Sequence, residues 1–258
     1  MSTLTLSNGQ AIAYDRFGSR DRPAVVLIHG MGDHRGRMTA LGESLAGDYD
    51  IITADLPGHG GSSSSEVVYE IPAFADAIHE FTTTLGLTPV HYIGHSLGAT
   101  VLTVLGARHP DTVRSLVLLD PGTLMEAATR EQLSTFYAAL TPENFPERLK
   151  AILVPLLSGP DEDPTVLEEL FQQQLRTGLP GFLSMGWSLV EVDKNSPAGE
   201  ITAPTLLVGG ETPFVSPSRQ GEVAPNWIVH QFPGLGHMQL VDPALTGERI
   251  AEFLRDQK

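Results

Sequence analysis

The residues best suited to covalent chemistry lie in Gly94-His95-Ser96-Leu97-Gly98. A serine hydroxyl is a poor nucleophile at neutral pH and needs an adjacent base to activate it. Ser96 has a glycine two positions to either side, follows the apolar, β-branched run Val90 to Ile93, and precedes the apolar run Ala99 to Leu105. This is the pattern G-x-S-x-G on a strand-to-helix turn. Such a turn holds its serine in a strained backbone conformation, and the flanking positions pass too close for side chains. It lifts Oγ out of the sheet and turns the first amides of the helix, with its dipole, toward the space where an oxyanion would develop. The plainer alternative is a glycine-rich corner whose serine only caps the helix; the strand before it and the helix after it favour the nucleophile.

The rest of the chain must position that serine. Leu4 to Leu6 and Ala11 to Tyr14, separated by Asn8-Gly9, read as a hairpin. Ala24 to Ile28, Tyr49 to Asp55, Val90 to Ile93, Ser115 to Asp120, Ala203 to Gly210 and Trp227 to Phe232 read as further strands. Those that are apolar throughout are expected to be buried on both faces. Phe74, Ala77, Ile78, Phe81 and Leu85 keep helical spacing before the serine's strand, and Ile250, Phe253 and Leu254 mark a final helix. Alternating strands and helices predict a mostly parallel sheet covered on both faces.

Between Gly122 and Glu200 the pattern changes to four apolar stripes. They are Leu133, Phe136, Tyr137 and Leu140; Leu149, Ile152, Leu153 and Leu156; Leu167, Leu170, Phe171 and Leu175; and a weaker one over Phe182 to Val190. Pro142, Pro146, Pro160, Pro164 and Pro180 punctuate them, and no strand intervenes. The expected organisation is a core domain of residues 1–121 and 201–258 with an all-helical insertion over 122–200. The Ser62 to Ser65 run reads as a loop.

At 258 residues with 41% apolar and 18% charged residues, the composition is that of a soluble globular chain with a large core. No apolar run is long enough to span a membrane, and the first residues lack the basic start and apolar centre of a signal peptide, so a cytoplasmic location is expected. There are no cysteines, which excludes disulfides, thiolate catalysis and zinc–cysteine sites. The formal net charge of −15 argues against nucleic acid and anionic membrane surfaces as partners. Oligomeric state is not legible.

Four landmarks in order resemble the α/β-hydrolase fold: His29-Gly30 after the third strand, Asp55-Leu56-Pro57-Gly58-His59-Gly60 after the fourth, the turn at Ser96, and Gly236-His237-Met238 near the end. The resemblance covers nearly the whole chain and implies an eight-stranded, mostly parallel sheet with helices on both faces and a helical cap where the insertion falls. It implies Ser96 as nucleophile, His237 as base, and an oxyanion hole from the backbone amides of Met31 and Leu97. Gly30, Met31 and His95 would line the substrate pocket. His29 and His95 would also make structural hydrogen bonds at the turns, His91 would belong to its strand, and His59 is a candidate substrate contact. Asp55 and Asp242 would tie loops together.

The acid departs from the family's commonest pattern. Where an aspartate usually precedes a proline after the seventh strand, this chain has Thr212 before Pro213, and a threonine cannot hold an imidazolium. Asp120, ending the strand after the serine's, is the preferred acid, and Glu211 is the alternative. The expected function is a cofactor-free serine hydrolase of a carboxylic ester, lactone or thioester, on a small, uncharged, partly apolar substrate. Phe, Leu, Met185 and Trp187 of the insertion would roof the pocket. The loop His29 to His34 also resembles that of monoglyceride lipases. The alternatives are carbon–carbon hydrolysis, perhydrolysis or a lyase or cyclase step on the same residues, or a non-catalytic ligand-binding protein.

Overall fold

The computed structural model describes residues 1–63, 68–157 and 164–257. Eight strands form one sheet in the order β1-β2-β4-β3-β5-β6-β7-β8. They are β1 (Ser2–Thr5), β2 (Ala11–Gly18), β3 (Ala24–Ile28), β4 (Asp50–Ala54), β5 (Val90–His95), β6 (Val113–Leu119), β7 (Thr205–Gly209) and β8 (Ile228–Gln231). β2 runs antiparallel to β1 and β4, and every other pairing is parallel.

The apolar strands are buried on both faces, as their composition predicts. Successive residues alternate between two cores: Val26 and Ile28 pack on one face, Val25 and Leu27 on the other. The first face is covered by α2 (Ile71–Thr84) and α3 (Leu97–Arg108). The second is covered by α1 (Thr39–Leu45) and α8 (Pro243–Arg255), through Leu41, Leu45, Ile250 and Phe253. A short α7 (Pro217–Val223) lies between β7 and β8.

The insertion between β6 and β7 contains α4 (Ala127–Ala138), α5 (Phe145–Leu157) and α6 (Pro164–Lys194). The third and fourth stripes are the two arms of α6, which breaks at Gly178 (φ 76°, ψ 163°). Pro180 sits just beyond, where its missing N–H and its ring forbid an unbroken helix. Leu133, Tyr137, Phe182 and Met185 join the same core as α2 and α3, so the insertion rests on the sheet's site-bearing side. Arg130 and the amide of Met125 both bind the buried carboxylate of Asp193, clamping α4 to the end of α6. Two sequence features fall partly outside the described residues: the side chains of Leu153 and Leu156, and Ser64 and Ser65 of the serine run.

In open parallel sheets ligands bind beyond the carboxyl ends of the strands, where the strand order reverses. Here that place is the end of β3 and β5, and the loops after β3, β5, β6 and β8 all converge on it.

Candidate active site

Ser96 joins β5 to α3 with φ 55° and ψ −117°, a sparsely populated conformation for a residue with a side chain. Its neighbours explain how the strain is held. A Cβ on Gly94 would lie 2.6 Å from the amide nitrogen of Ala99, and one on Gly98 would lie 2.5 Å from the carbonyl oxygens of Ile28 and His29. The Ser96 N–H donates to the Leu119 carbonyl (2.8 Å), so the turn grows out of the ladder between β5 and β6. Ser96 occupies the N-cap position of α3, yet its hydroxyl makes no capping bond. The capping alternative is therefore not the arrangement adopted, and Ser96 instead lines a cavity.

Asp120 is placed by the same device one strand further. Its N–H donates to the Val208 carbonyl (2.8 Å), extending the ladder between β6 and β7, and its backbone turns to φ 50°. The side chain is 1% exposed. Oδ2 lies 2.5 Å from His237 Nδ1, and Oδ1 accepts from the Thr212 hydroxyl at 2.8 Å. Both carboxylate oxygens are thus committed, one to the imidazole and one to a neutral donor. Thr212, which stands where the family commonly carries its acid, instead donates its hydroxyl to Asp120.

Glu211, the alternative acid, is not brought to the histidine. Its N–H donates to the Leu235 carbonyl (2.8 Å), which fixes the backbone of the two loops against each other, and its side chain is solvent-exposed.

His237 is 2% exposed and is gripped from three sides. Asp120 holds Nδ1, the Phe214 ring lies 4.9 Å away between centroids, and His95 Nε2 bonds the His237 carbonyl at 3.0 Å. A carbonyl only accepts, so His95 carries its proton on Nε2. Burial, and then the nearby His237, push the His95 pKa well below the usual histidine value, which keeps that ring neutral. His95 also lines the cavity.

Leu97 opens α3, so its N–H has no intrahelical acceptor. Met31 lies on the loop after β3. The peptide that carries its N–H has the Gly30 carbonyl as its other end, and that carbonyl bonds His29 Nδ1 (2.7 Å) and the Asp33 N–H (3.3 Å). His29 Nε2 accepts from the Leu56 N–H (3.1 Å), which assigns the proton to Nδ1. Burial lowers the His29 pKa to about 4, so the ring stays neutral. Gly30 approaches Ser96 so closely that a Cβ there would sit 3.2 Å from the Ser96 Cβ.

Ser96, His237, Met31, Gly30 and His95 all line one cavity of about 90 Å³. Its far wall is apolar and comes largely from the insertion, including Leu133, Phe136, Tyr137, Phe182 and Leu189. The insertion's apolar contribution was legible, but two of its members were misplaced. Met185 is fully buried in the core, and Trp187 is 42% exposed against Tyr137. Phe182 and Leu189, seven positions apart, face the cavity; helical phase turns Trp187 away from it, whereas Met185 shares their side of the helix and is buried in the core.

His59 also lies elsewhere, packed between His29, Tyr69 and Phe74 with Nδ1 on the Pro57 carbonyl. Asp55 ties loops together through Arg35 and the Gly61 N–H, and Asp242 caps α8 through the Ala244 N–H. His91 bonds Ser115 within the sheet. Sequence reasoning missed Thr212, Phe214 and Gln174. Only Thr212 carried a signal, its place before Pro213.

Residues 23–158 match the family model for the alpha/beta hydrolase fold. The chain is 29% identical over 253 residues, 91% of its length and 95% of the relative's, to a pimeloyl-[acyl-carrier protein] methyl ester esterase of Chromobacterium violaceum. It is 32% identical to an esterase of the same description from Neisseria meningitidis, over 77% of this chain and 78% of that one. A thermophilic esterase from Thermogutta terrifontis shares the fold, with a TM-score of 0.82 at 21% identity over 100% of this chain and 99% of that one.

Proposed function

This chain belongs to the α/β-hydrolase fold family, and from that premise we propose that it is a serine hydrolase working through an acyl-enzyme on Ser96. The observation that carries this reading is the buried Asp120–His237 pair opening onto the same cavity as a strained, uncapped Ser96. That it hydrolyses ester bonds follows from the esterases it resembles over most of its length.

In the proposed cycle His237 Nε2 takes the hydroxyl proton as Ser96 Oγ attacks the ester carbonyl. Asp120 holds the imidazolium through Nδ1. The amides of Met31 and Leu97 receive the oxyanion; removing one donor from such a hole costs about 10²–10³ in rate. The tetrahedral intermediate collapses, His237 protonates the departing alcohol, and water activated by the same nitrogen releases the acid. No cofactor enters these steps.

Residues 1–121 and 201–258 act as the catalytic core, and 122–200 as a cap that roofs the cavity. The apolar wall selects an uncharged, partly apolar group. The relatives named as methyl ester esterases make a small alcohol the first leaving group to try.

The test is turnover of methyl and p-nitrophenyl esters of rising acyl length by the wild type and Ser96→Ala. Release abolished by Ser96→Ala is the expected result, and the optimum in acyl length then sizes the pocket. Turnover that survives Ser96→Ala overturns the acyl-enzyme. No turnover of any ester, with product found instead from a carbon–carbon or lyase substrate, overturns the ester reading.

A further inference from the structure

We infer that Gln174, on α6 of the insertion, is a positioning residue that sets the loop carrying the Met31 amide; the inference rests on the reading of that amide as an oxyanion donor. Gln174 is 3% exposed and lines the cavity from the insertion side. Its Nε2 donates to the Met31 carbonyl at 2.9 Å, across 143 positions of chain.

The next residue is shaped to the same side chain. Gly32 has φ +67°, and a Cβ there would fall 2.5 Å from Gln174 Nε2 and 2.7 Å from its Cγ. The loop and the amide therefore occupy each other's only available space. The two peptides around Met31 are held from different sides. His29 and the Asp33 N–H fix the Gly30 carbonyl, hence the peptide bearing the Met31 N–H, from within the core. Gln174 fixes the following peptide from the insertion. A second thread runs the same way: Arg37 bonds Asp33 on the loop (3.1 Å) and Glu169 of α6 (3.0 Å).

The other half of the amide sharpens the argument. Gln174 Oε1 is buried with no partner among the described residues. Packing alone needs no acceptor at this place, and an apolar side chain of the same length would fill it. What the glutamine supplies and methionine cannot is the N–H on the loop. The loop that carries the Met31 amide is thus fully set when α6 lies against it.

The test compares Gln174→Met and Gln174→Glu with the wild type. Gln174→Met is expected to lower kcat about 10- to 100-fold, a fraction of the loss of a whole donor, with KM within threefold and no fall in Tm. Hydrogen exchange at the Met31 to Asp33 amides is expected to quicken at least tenfold, with β3 unchanged. Gln174→Glu loses the donor when ionised and regains it when protonated, so its kcat relative to wild type should rise as pH falls. Unchanged exchange at Met31 to Asp33, or a kcat within twofold of wild type, overturns the inference, as does a pH-independent Gln174→Glu ratio. Absence of Ser96-dependent turnover in the wild type counts against the nucleophile alone, and the exchange measurement then decides the role of Gln174 by itself.

Discussion

Replacing Asp120 with asparagine tests the proposed acid directly. The backbone poses no obstacle, because asparagine tolerates the φ of 50° that Asp120 adopts. The orientation of the new amide is dictated by Thr212. Its hydroxyl donates to Oδ1, so the amide oxygen stays there and the NH₂ takes the place of Oδ2, 2.5 Å from His237 Nδ1. Nδ1 must then accept, which moves the imidazole proton to Nε2, the nitrogen that has to take the proton from Ser96. The wrong tautomer and the lost countercharge together are expected to lower kcat by about 10³–10⁴, as for the same change in a serine protease, or about 4–5.5 kcal/mol. The assay is Ser96-dependent p-nitrophenyl ester release, with Glu211→Gln measured beside it and expected within twofold of wild type. A loss below tenfold for Asp120→Asn in folded protein would refute the assignment, and so would a comparable loss for Glu211→Gln.

Thr212→Val removes the donor to Asp120 Oδ1 but leaves the bond to His237. A hydrogen bond to a charged group is worth about 1.5–3 kcal/mol, so kcat/KM should fall about 10- to 150-fold, less than for Asp120→Asn; an equal loss would sink the distinction. His59 is buried, and burial lowers its pKa to about 4 from 6.5. The unfolded chain therefore binds this proton first, so stability is fully present above about pH 6.5 and is lost as pH falls toward 4. By that linkage His59 alone accounts for about 3 kcal/mol by pH 4. Urea melts of wild type and His59→Gln should show their stability difference shrinking between pH 7.5 and pH 5, and a constant difference would contradict the buried neutral ring. Asp193 is fully buried, with Arg130 at 2.6 Å and the Met125 N–H at 2.9 Å. Arg130→Met leaves that carboxylate without its cation and should cost about 3 kcal/mol in denaturant melts; a cost below about 1 kcal/mol would mean the pair does not hold the insertion down.

Local information was enough for much of this protein. The doubly buried strands are legible because a strand covered on both faces is built mainly of apolar residues, and the turn at Ser96 because backbone crowding there admits only glycine at 94 and 98. The helices of the insertion are legible from their stripes, and the break between the last two from Pro180. What a one-dimensional pattern cannot carry is which side chains meet across distant loops. The sequence favours Asp120 over Glu211 without showing which carboxylate meets His237; that contact is made by β6 and β7. Their ladder extends through the Asp120 N–H and aims one carboxylate at His237, while the Glu211 amide is spent on Leu235 and its side chain turns to solvent. Helical phase within the insertion decided that Phe182 and Leu189 face the cavity and Trp187 does not. The roles of Thr212 and Gln174 are properties of contact alone: a hydroxyl 92 positions from the acid it orients, and an amide 143 positions from the loop it holds. Burial and backbone conformation are written locally because each residue's own surroundings select its type, whereas the pairing of polar groups is written only in the distances that folding creates.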